Sequence, residues 1–278
     1  MGLIRGKSYR RVPMYMLIAL VVGAVLIFWR TEQRNDHRTT GYEKVAELPA
    51  PFVLSTQKAA ERFGLPWELL AAIDQVKVER NLIAQYSNSD DVVKQAARLA
   101  PGTGKSRLKD IIKGLGYTEE LNQQILERAE LLQTHSILLS GAYSFPYKKS
   151  YYFQDTWGAE REGGKRRHEG TDIFAPEGVP IYSVSDGKVE KLGWNRLGGE
   201  RVGIRGPDTI YYYYAHMVKI NAKLQVGEEI ARGTLLGFTG HTGDAIFTPD
   251  HLHFGMETAE GKWINPYNLL RYWEKNPK

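Results

Sequence analysis

A chain of 278 residues is long enough for one large domain or two modest ones, each with an ordinary hydrophobic core. Hydrophobic residues make up 42% and charged residues 25%, a balance that excludes an intrinsically disordered chain. The formal net charge is only +5 and no long block of like charge occurs, so the sequence predicts no nucleic-acid partner. Because cysteine is absent, disulfides and thiolate metal sites are excluded, and any metal must be held by His, Asp or Glu.

An apolar run near the N-terminus departs from the composition of a soluble domain. Residues 12–29 are eighteen successive uncharged residues, just long enough to cross a bilayer, with Tyr15 and Trp29 near the two ends. The preceding segment, 1–11, carries four basic residues and no acid, which favours a cytoplasmic N-terminus and an exported remainder. We therefore predict a single-pass transmembrane anchor over 12–29 that contacts the lipid bilayer. A cleaved signal peptide is the alternative, but charged residues follow the run where small residues would mark a cleavage site.

The next two segments are predicted to be a linker and a helical domain. Residues 30–51 are polar and charged, which is typical of a linker. Residues 52–141 show apolar residues at helical spacing, delimited by residues that start or stop helices. Gly64 suits the left-handed end of one helix, Pro66 opens the next, and Thr118 begins a longer one. This region is expected to act as a spacer or a docking domain and is available for a protein partner.

Composition changes near residue 142, and a β domain is predicted over 142–278. Glycine becomes frequent and short runs rich in Val, Ile, Tyr and Thr alternate with turn residues, which favours antiparallel sheets packed as a sandwich or barrel. The predicted fold class is therefore α+β multidomain, with a transmembrane helix, a helical middle region and a C-terminal antiparallel β sandwich. The strand candidates are Ile181–Val184, Gly187–Leu192, Arg201–Ile204 and Thr209–Ala215.

Four histidines and an aspartate in the β-rich part form the candidate site: His168, Asp172, His216, His251 and His253. Residues two apart on a strand point to the same face, so His251 and His253 project together while the leucine between them faces a core. Two imidazoles are costly to bury without a partner, and a metal ion is the commonest one. The spacing of His168 and Asp172 suggests a turn that runs into a strand, because glycine and proline nearby disfavour a helix.

These five residues divide into three metal ligands and two catalytic groups. Two imidazoles and a carboxylate make a three-ligand zinc set that leaves a position for water or a substrate carbonyl. Zinc lowers the pKa of water and polarises the carbonyl, and two further histidines supply proton transfer and stabilise developing negative charge. Chain order alone does not say which histidine has which role.

The three motifs resemble a known family. His168-x-x-x-Asp172, Tyr214-x-His216 and His251-x-His253, within a glycine-rich region spanning roughly residues 150 to 268, are similar to the signature motifs of LytM/lysostaphin-type peptidases of family M23. The resemblance implies one Zn²⁺ per chain, held by His168, Asp172 and His253. It also implies that His216 and His251 act on the water and the transition state, and that the β domain is a sandwich with a groove over the metal.

The resemblance also implies a function. Members of this family hydrolyse peptides of bacterial peptidoglycan, so we expect an extracytoplasmic zinc endopeptidase at the cell membrane, with stem-peptide trimming in sporulation as a narrower expectation. A non-catalytic cell-envelope assembly protein is the alternative from another class. A second enzyme hypothesis comes from Leu65–Ile73, which faintly resembles the opening helix of lytic transglycosylases and would make Glu79 an acid.

Two further features near the motifs are left open. Asp250 precedes His251 where many relatives have a small residue or proline, and it either orients an imidazole or faces water as a turn residue. The tyrosine run at 211–214 is expected to place alternate rings on the two faces of a strand.

Overall fold

The computed structural model describes residues 40–100 and 108–276, which fall within one compact unit, Thr39–Lys278. Helices occupy the first part of this range and strands the second, with a last helix near the C-terminus. The helices are α1 (40–46), α2 (Ala50–Phe63), α3 (Trp67–Glu79), α4 (Ser89–Leu99), α5 (Leu108–Lys113), α6 (Glu119–His135) and α7 (Tyr267–Lys275).

The strands form one large sheet and two small ones, and all of the pairings are antiparallel, as predicted. The strands are β1 (Tyr152–Phe153), β2 (Glu160–Arg161), β3 (Arg166–Arg167), β4 (Thr171–Phe174), β5 (Pro180–Tyr182), β6 (Gly187–Asn195), β7 (Gly199–Arg205), β8 (Tyr211–Met217), β9 (Lys219–Ile220), β10 (Glu229–Ile230), β11 (Leu235–Phe238), β12 (His251–Glu257) and β13 (Trp263–Ile264). The large sheet has the order β1-β4-β12-β8-β7-β6-β10, with β13 paired to β12, and the small sheets have the orders β5-β11-β9 and β2-β3.

Local signals set several helix ends where the sequence predicts them. Gly64 ends α2 in the left-handed region, with φ of 65°, and its N–H is bonded to Ala60 O. Pro66 immediately precedes α3. The Thr118 side chain accepts a hydrogen bond from the N–H of Leu121 at 3.3 Å and so caps α6.

The predicted linker over 30–51 differs from the structure in its described part, which contains α1 and the beginning of α2. Tyr42, Val45 and Leu48 are buried there. The Tyr42 hydroxyl donates to the backbone oxygen of Asp208, 166 residues away, at 2.7 Å. Composition alone does not reveal such a long-range contact. The contact helps to hold this polar stretch as a packed helix.

The predicted segments 1–11 and 12–29, a cytoplasmic tail and a membrane anchor, lie outside the described residues. Within the described ranges, no helix combines the length and apolar character that crossing a bilayer requires.

The change from helices to strands falls between residues 139 and 152, and contacts join the two parts of the compact unit. Trp273 of α7 is almost fully buried, and its indole N–H donates to Leu138 O at 2.8 Å. Asn268 of the same helix donates to Ala46 O at 3.0 Å. The C-terminal helix therefore fixes the helical region against the end of the β-rich part.

The centre of the large sheet has two different faces. Tyr212 and Tyr214 of β8 are fully buried in the hydrophobic core. Tyr211 and Tyr213 face the other way and line a groove of ≈ 860 Å³. The alternation expected for the tyrosine run is thus confirmed, and the groove lies over the face that carries the candidate site.

Candidate metal centre

Two adjacent strands bring the carboxylate and the histidine pair together. Asp172 of β4 lies directly opposite His253 of β12 in the antiparallel register. His251 and His253 both line the groove, whereas Leu252 between them is fully buried in the core. The period-two prediction for this strand is confirmed, and it explains why two imidazoles face one carboxylate.

Three side-chain atoms converge at the centre of this arrangement. His168 lies in the loop that leads into β4, and its Nε2 is 3.0 Å from Asp172 Oδ1 and 2.9 Å from His253 Nδ1. His253 Nδ1 is 3.2 Å from Asp172 Oδ1. These three residues, predicted from the sequence as metal ligands, offer a set of atoms that could hold a metal ion.

The other two predicted residues border the same centre. His251 Nε2 is 3.8 Å from Asp172 Oδ1. The ring centroid of His216 lies 4.9 Å from that of His251 and 5.9 Å from that of His253. All five residues therefore meet in one place, although they come from a loop and three different strands.

Backbone carbonyls fix the orientation of three of the imidazoles. The Nδ1 atoms of His168, His216 and His251 lie 2.7, 2.8 and 2.8 Å from the carbonyl oxygens of Thr156, Thr242 and Pro249 respectively. Since a carbonyl can only accept, each of these Nδ1 atoms donates its proton. The neutral tautomer then leaves Nε2 free to act as a ligand or a base, which is the arrangement that metal-binding histidines typically show.

A backbone irregularity aims His216 into the site. His216 has φ of 66°, a left-handed conformation that is uncommon for residues other than glycine. The register between β7 and β8 shifts between Glu200 and Val202, which is a β-bulge opposite this end of β8. The His216 N–H donates to Gly198 O at 2.7 Å and holds the distorted segment. Bulges re-aim side chains and concentrate near active sites, as this one does.

The charges of the site follow from burial and from these contacts. Burial alone would raise the pKa of the Asp172 carboxyl, but the adjacent imidazoles of His168 and His253 hold that pKa well below its ordinary value. Burial, with neighbouring His253 and His251, lowers the pKa of His216 to about 3. Burial also lowers the pKa of His253, against the opposing effect of Asp172. The Asp172 carboxylate is thus ionised and the His253 imidazole is neutral, which is the protonation state that a divalent cation requires of its ligands.

Two residues outside the predicted set of five also support this centre. Arg161 of β2 donates from Nη2 to Asp172 Oδ2 at 2.5 Å, so the oxygen that does not face the histidines is also occupied. Gly170 allows the loop to pass close to His253, since a Cβ atom there would lie 2.6 Å from its Cε1. The position of Gly170 between His168 and Asp172 could have indicated a close backbone approach as well as a break in helix. Nothing in the sequence around Arg161 marks that residue as part of the site.

The remaining candidates have ordinary partners. Asp250 accepts a hydrogen bond from His241 Nδ1 at 2.6 Å, so the imidazole that it orients is not one of the five. Glu79 forms ion pairs with Arg128 at 2.7 Å and with Lys44 at 3.1 Å. Burial would raise the pKa of Glu79, but these two cations lower it below its ordinary value, which is opposite to what a glycosidase acid needs.

Comparison with known proteins is consistent with the geometry. Residues 166–266 match the sequence model of peptidase family M23. The L-Ala–D-Glu endopeptidase of Bacillus subtilis is 34% identical over 205 residues, which cover 69% of this chain and 63% of that protein. Lysostaphin of Staphylococcus simulans is 34% identical over 110 residues, or 39% of this chain and 21% of its own length. This chain thus spans less than two thirds of the length of these curated relatives.

A solved structure extends the comparison to the helical region. The crystal structure of a Ruminococcus gnavus protein, provisionally assigned as a glycyl-glycine endopeptidase LytM, superposes with a TM-score of 0.57 and 26% identity. The alignment covers 84% of this chain and 90% of that one. The M23-like fold with antiparallel sheets and a helical N-terminal region is therefore shared. The match to the sequence model of peptidase family M23 spans residues 166–266, which carry all five site residues.

Proposed function

We propose that this protein is a zinc-dependent endopeptidase that hydrolyses peptide bonds of bacterial peptidoglycan. The observation that carries the proposal is the convergence of His168, Asp172 and His253 beside two further imidazoles with free Nε2 atoms. The match to the family model, and relatives named as an L-Ala–D-Glu endopeptidase and a peptidoglycan DD-endopeptidase, support the reaction class.

The three proposed ligands fit a zinc ion. Nitrogen and oxygen ligands at tetrahedral angles around zinc lie about 3.3 Å from one another, given bond lengths of about 2.0–2.1 Å. The corresponding atoms of His168, Asp172 and His253 are 2.9, 3.0 and 3.2 Å apart, so small adjustments suffice. Two imidazoles and one carboxylate are also the donor set of a catalytic zinc site, which keeps a position open.

The chain's own residues supply the proton chemistry. When bound, the zinc ion would polarise the peptide carbonyl and make water more acidic. We assign proton transfer to His216 and His251, whose Nε2 atoms are free because each Nδ1 donates to a carbonyl. One Nε2 accepts the proton that the attacking water loses, and the resulting imidazolium stabilises negative charge on the carbonyl oxygen. The proton then passes to the amine nitrogen as the C–N bond breaks. Arg161 holds Asp172 in place from the side away from the histidines.

The helical region supports a narrower substrate. The Bacillus subtilis relative is named for the L-Ala–D-Glu bond, and its alignment covers 69% of this chain, more than the β domain alone. We therefore propose a stem-peptide bond next to an acidic residue as the substrate, and trimming during sporulation as the setting. The helical region, 52–141, is proposed as a spacer or docking domain for a protein partner.

We also propose where the enzyme acts. The apolar run over 12–29 and the basic residues before it support a single-pass membrane anchor with a cytoplasmic N-terminus. The helical region and the catalytic domain would then lie outside the membrane, where peptidoglycan is found.

Digestion of purified peptidoglycan tests the proposal. The purified chain, supplied with zinc, is incubated with intact peptidoglycan, and new amino and carboxyl termini are identified by mass spectrometry. Termini at a stem-peptide bond are expected with the wild-type chain and not with His253→Ala. A wild-type chain that binds zinc and creates no new termini would overturn the proposal and favour a non-catalytic envelope protein.

A further inference from the structure

The groove beside the metal centre is lined by more cations than acids. Six basic side chains line it: Arg161, Arg166, Arg167, Lys191, Arg196 and Arg201. The acidic lining residues are fewer: Glu169, Asp172, Asp244 and Glu257. A groove of this kind favours a ligand with negative charge.

Three of these arginines already have carboxylate partners within the chain. Arg161 donates to Asp172 at 2.5 Å, and Arg166 donates to Asp244 at 2.9 Å. Arg167 lies 3.4 Å from Glu160. The charges of these three arginines are therefore neutralised within the chain, and a ligand would gain little by binding to them.

Arg201 is different. It lies on β7 and is half-buried, and its Nη1 atom is enclosed without a hydrogen-bond partner in the described part of the chain. No ion pair of Arg201 with any described residue is present either. A buried guanidinium nitrogen without an acceptor is costly, so Arg201 brings to the groove a positive charge and hydrogen-bonding capacity that a carboxylate could use.

Tyr211 and Lys191 lie near Arg201, and the three residues form one corner of the groove. The Tyr211 ring passes over Gly203, which lies two residues from Arg201 and hence on the same face of β7. Tyr211 is only 3% exposed, and its hydroxyl also has no hydrogen-bond partner among the described residues. Lys191 pairs with Gly203 in the register of β6 and β7, and its Nζ lies 5.4 Å from the centre of the Tyr211 ring.

The corner lies within reach of the metal centre. In the sheet order, β8 separates β12 from β7, and Ala215 of β8 lies opposite His253. Arg201 is the β7 residue at the bulge that faces this part of β8. Two strand spacings amount to about 10 Å, most of which the long arginine side chain can span. A carboxylate on the residue next to the reacting bond would therefore lie between the Arg201 guanidinium and the metal centre.

We propose that Arg201, assisted by Lys191 and the Tyr211 hydroxyl, forms a subsite that binds a free carboxylate of the peptide substrate next to the bond that is cleaved. The subsite rests on the proposed peptidase function and specifies its substrate class as acidic peptides. Arg201 binds the carboxylate through charge-assisted hydrogen bonds, and the Tyr211 hydroxyl donates a further one.

Two matched peptides test the subsite. Both are acetyl-L-alanyl-D-glutamyl peptides that continue through the glutamate γ-carboxyl; one keeps the α-carboxyl free and the other has it as a carboxamide. The zinc-loaded full chain is expected to cleave the free acid with kcat/KM about 10- to 100-fold higher, mainly through a lower KM. Arg201→Gln should abolish this preference, and Arg201→Lys should restore part of it. Arg167→Gln, which removes an arginine that is already paired, should leave the preference intact.

The outcomes separate this subsite from the proposed activity. Equal cleavage of both peptides by the wild-type chain would overturn the subsite and leave the peptidase function standing. Cleavage of neither peptide, and of no bond in peptidoglycan, would overturn the function itself and the subsite with it. An unchanged preference in Arg201→Gln, with normal zinc content, would show that another group binds the carboxylate.

Discussion

His168 Nε2 and His253 Nδ1 face each other at 2.9 Å, although 85 residues separate them in the chain. The Nδ1 proton of His168 is committed to Thr156 O, so its Nε2 presents a lone pair to His253. The carboxylate oxygen Asp172 Oδ1 lies within 3.2 Å of both nitrogens. Two imidazole nitrogens and one carboxylate oxygen this close together are suited to a cation.

Removal of any one of these three proposed ligands should abolish tight zinc binding. In His168→Ala, Asp172→Ala and His253→Ala, we expect zinc affinity to fall by at least about 100-fold, because two ligands remain. Zinc content after dialysis, measured by atomic absorption, checks this. His241→Ala is the matched control, since its imidazole pairs with Asp250. Retention of one zinc per chain in His253→Ala would contradict the ligand assignment.

The two imidazoles outside the ligand set should affect turnover rather than metal content. His251→Ala and His216→Ala are expected to keep one zinc per chain and to lose about 10²- to 10⁴-fold in kcat, since each removes a proton-transfer group. Peptide cleavage at saturating substrate, with zinc measured on the same samples, gives the comparison. A variant that loses zinc and activity together would instead make its histidine a ligand.

Acidification should destabilise the metal-free protein through His216. Its folded pKa is about 3, whereas the unfolded value is near 6.5, so below pH 6.5 the unfolded chain binds a proton that the folded chain does not. Stability therefore falls as the pH drops from 6.5 towards 3, by about 2 kcal/mol for this residue at pH 5. Urea unfolding at pH 7.5 and pH 5 in chelator should show a smaller loss for His216→Asn than for the wild type. An equal loss in both proteins would contradict this, and His241→Asn serves as the control.

Asp208 should be important for stability although it is far from the chemistry. Its Oδ2 accepts from the Tyr143 hydroxyl at 2.6 Å and from the Tyr212 hydroxyl at 2.5 Å, both of them buried. Asp208→Ala leaves two buried hydroxyls without an acceptor and should cost about 2–5 kcal/mol of unfolding free energy. Thermal and urea unfolding measure it. Asp186→Ala, which removes an exposed carboxylate bonded to one backbone N–H, should cost much less; comparable losses would count against this role.

The orientation of the two histidines of β12 was predictable from the sequence because it depends on neighbouring residues only. A period of two places His251 and His253 on one face, and the register with Asp172 follows once β4 and β12 pair. The helix ends at Gly64 and Thr118 were predictable for the same reason, since the caps act within one turn.

Other features depend on contacts between distant parts of the chain. Arg161 reaches Asp172 only because the β2–β3 hairpin lies at the edge of the groove. His216 points into the site because it lies at a β-bulge, where its N–H donates to Gly198 O. The residues next to His216 in the sequence do not predict its positive φ. The helix over 40–46 lies in the predicted linker, and one of the contacts that hold it, between Tyr42 and Asp208, joins residues far apart in the sequence.

The central claim is that zinc at His168, Asp172 and His253 enables hydrolysis of peptidoglycan. The most direct measurement is the yield of new peptide termini from purified peptidoglycan as a function of zinc added to the metal-stripped chain. We predict no new termini without zinc and a yield that rises to a plateau at one zinc per chain. Equal digestion by the stripped chain, or no digestion at one zinc per chain, would contradict the account.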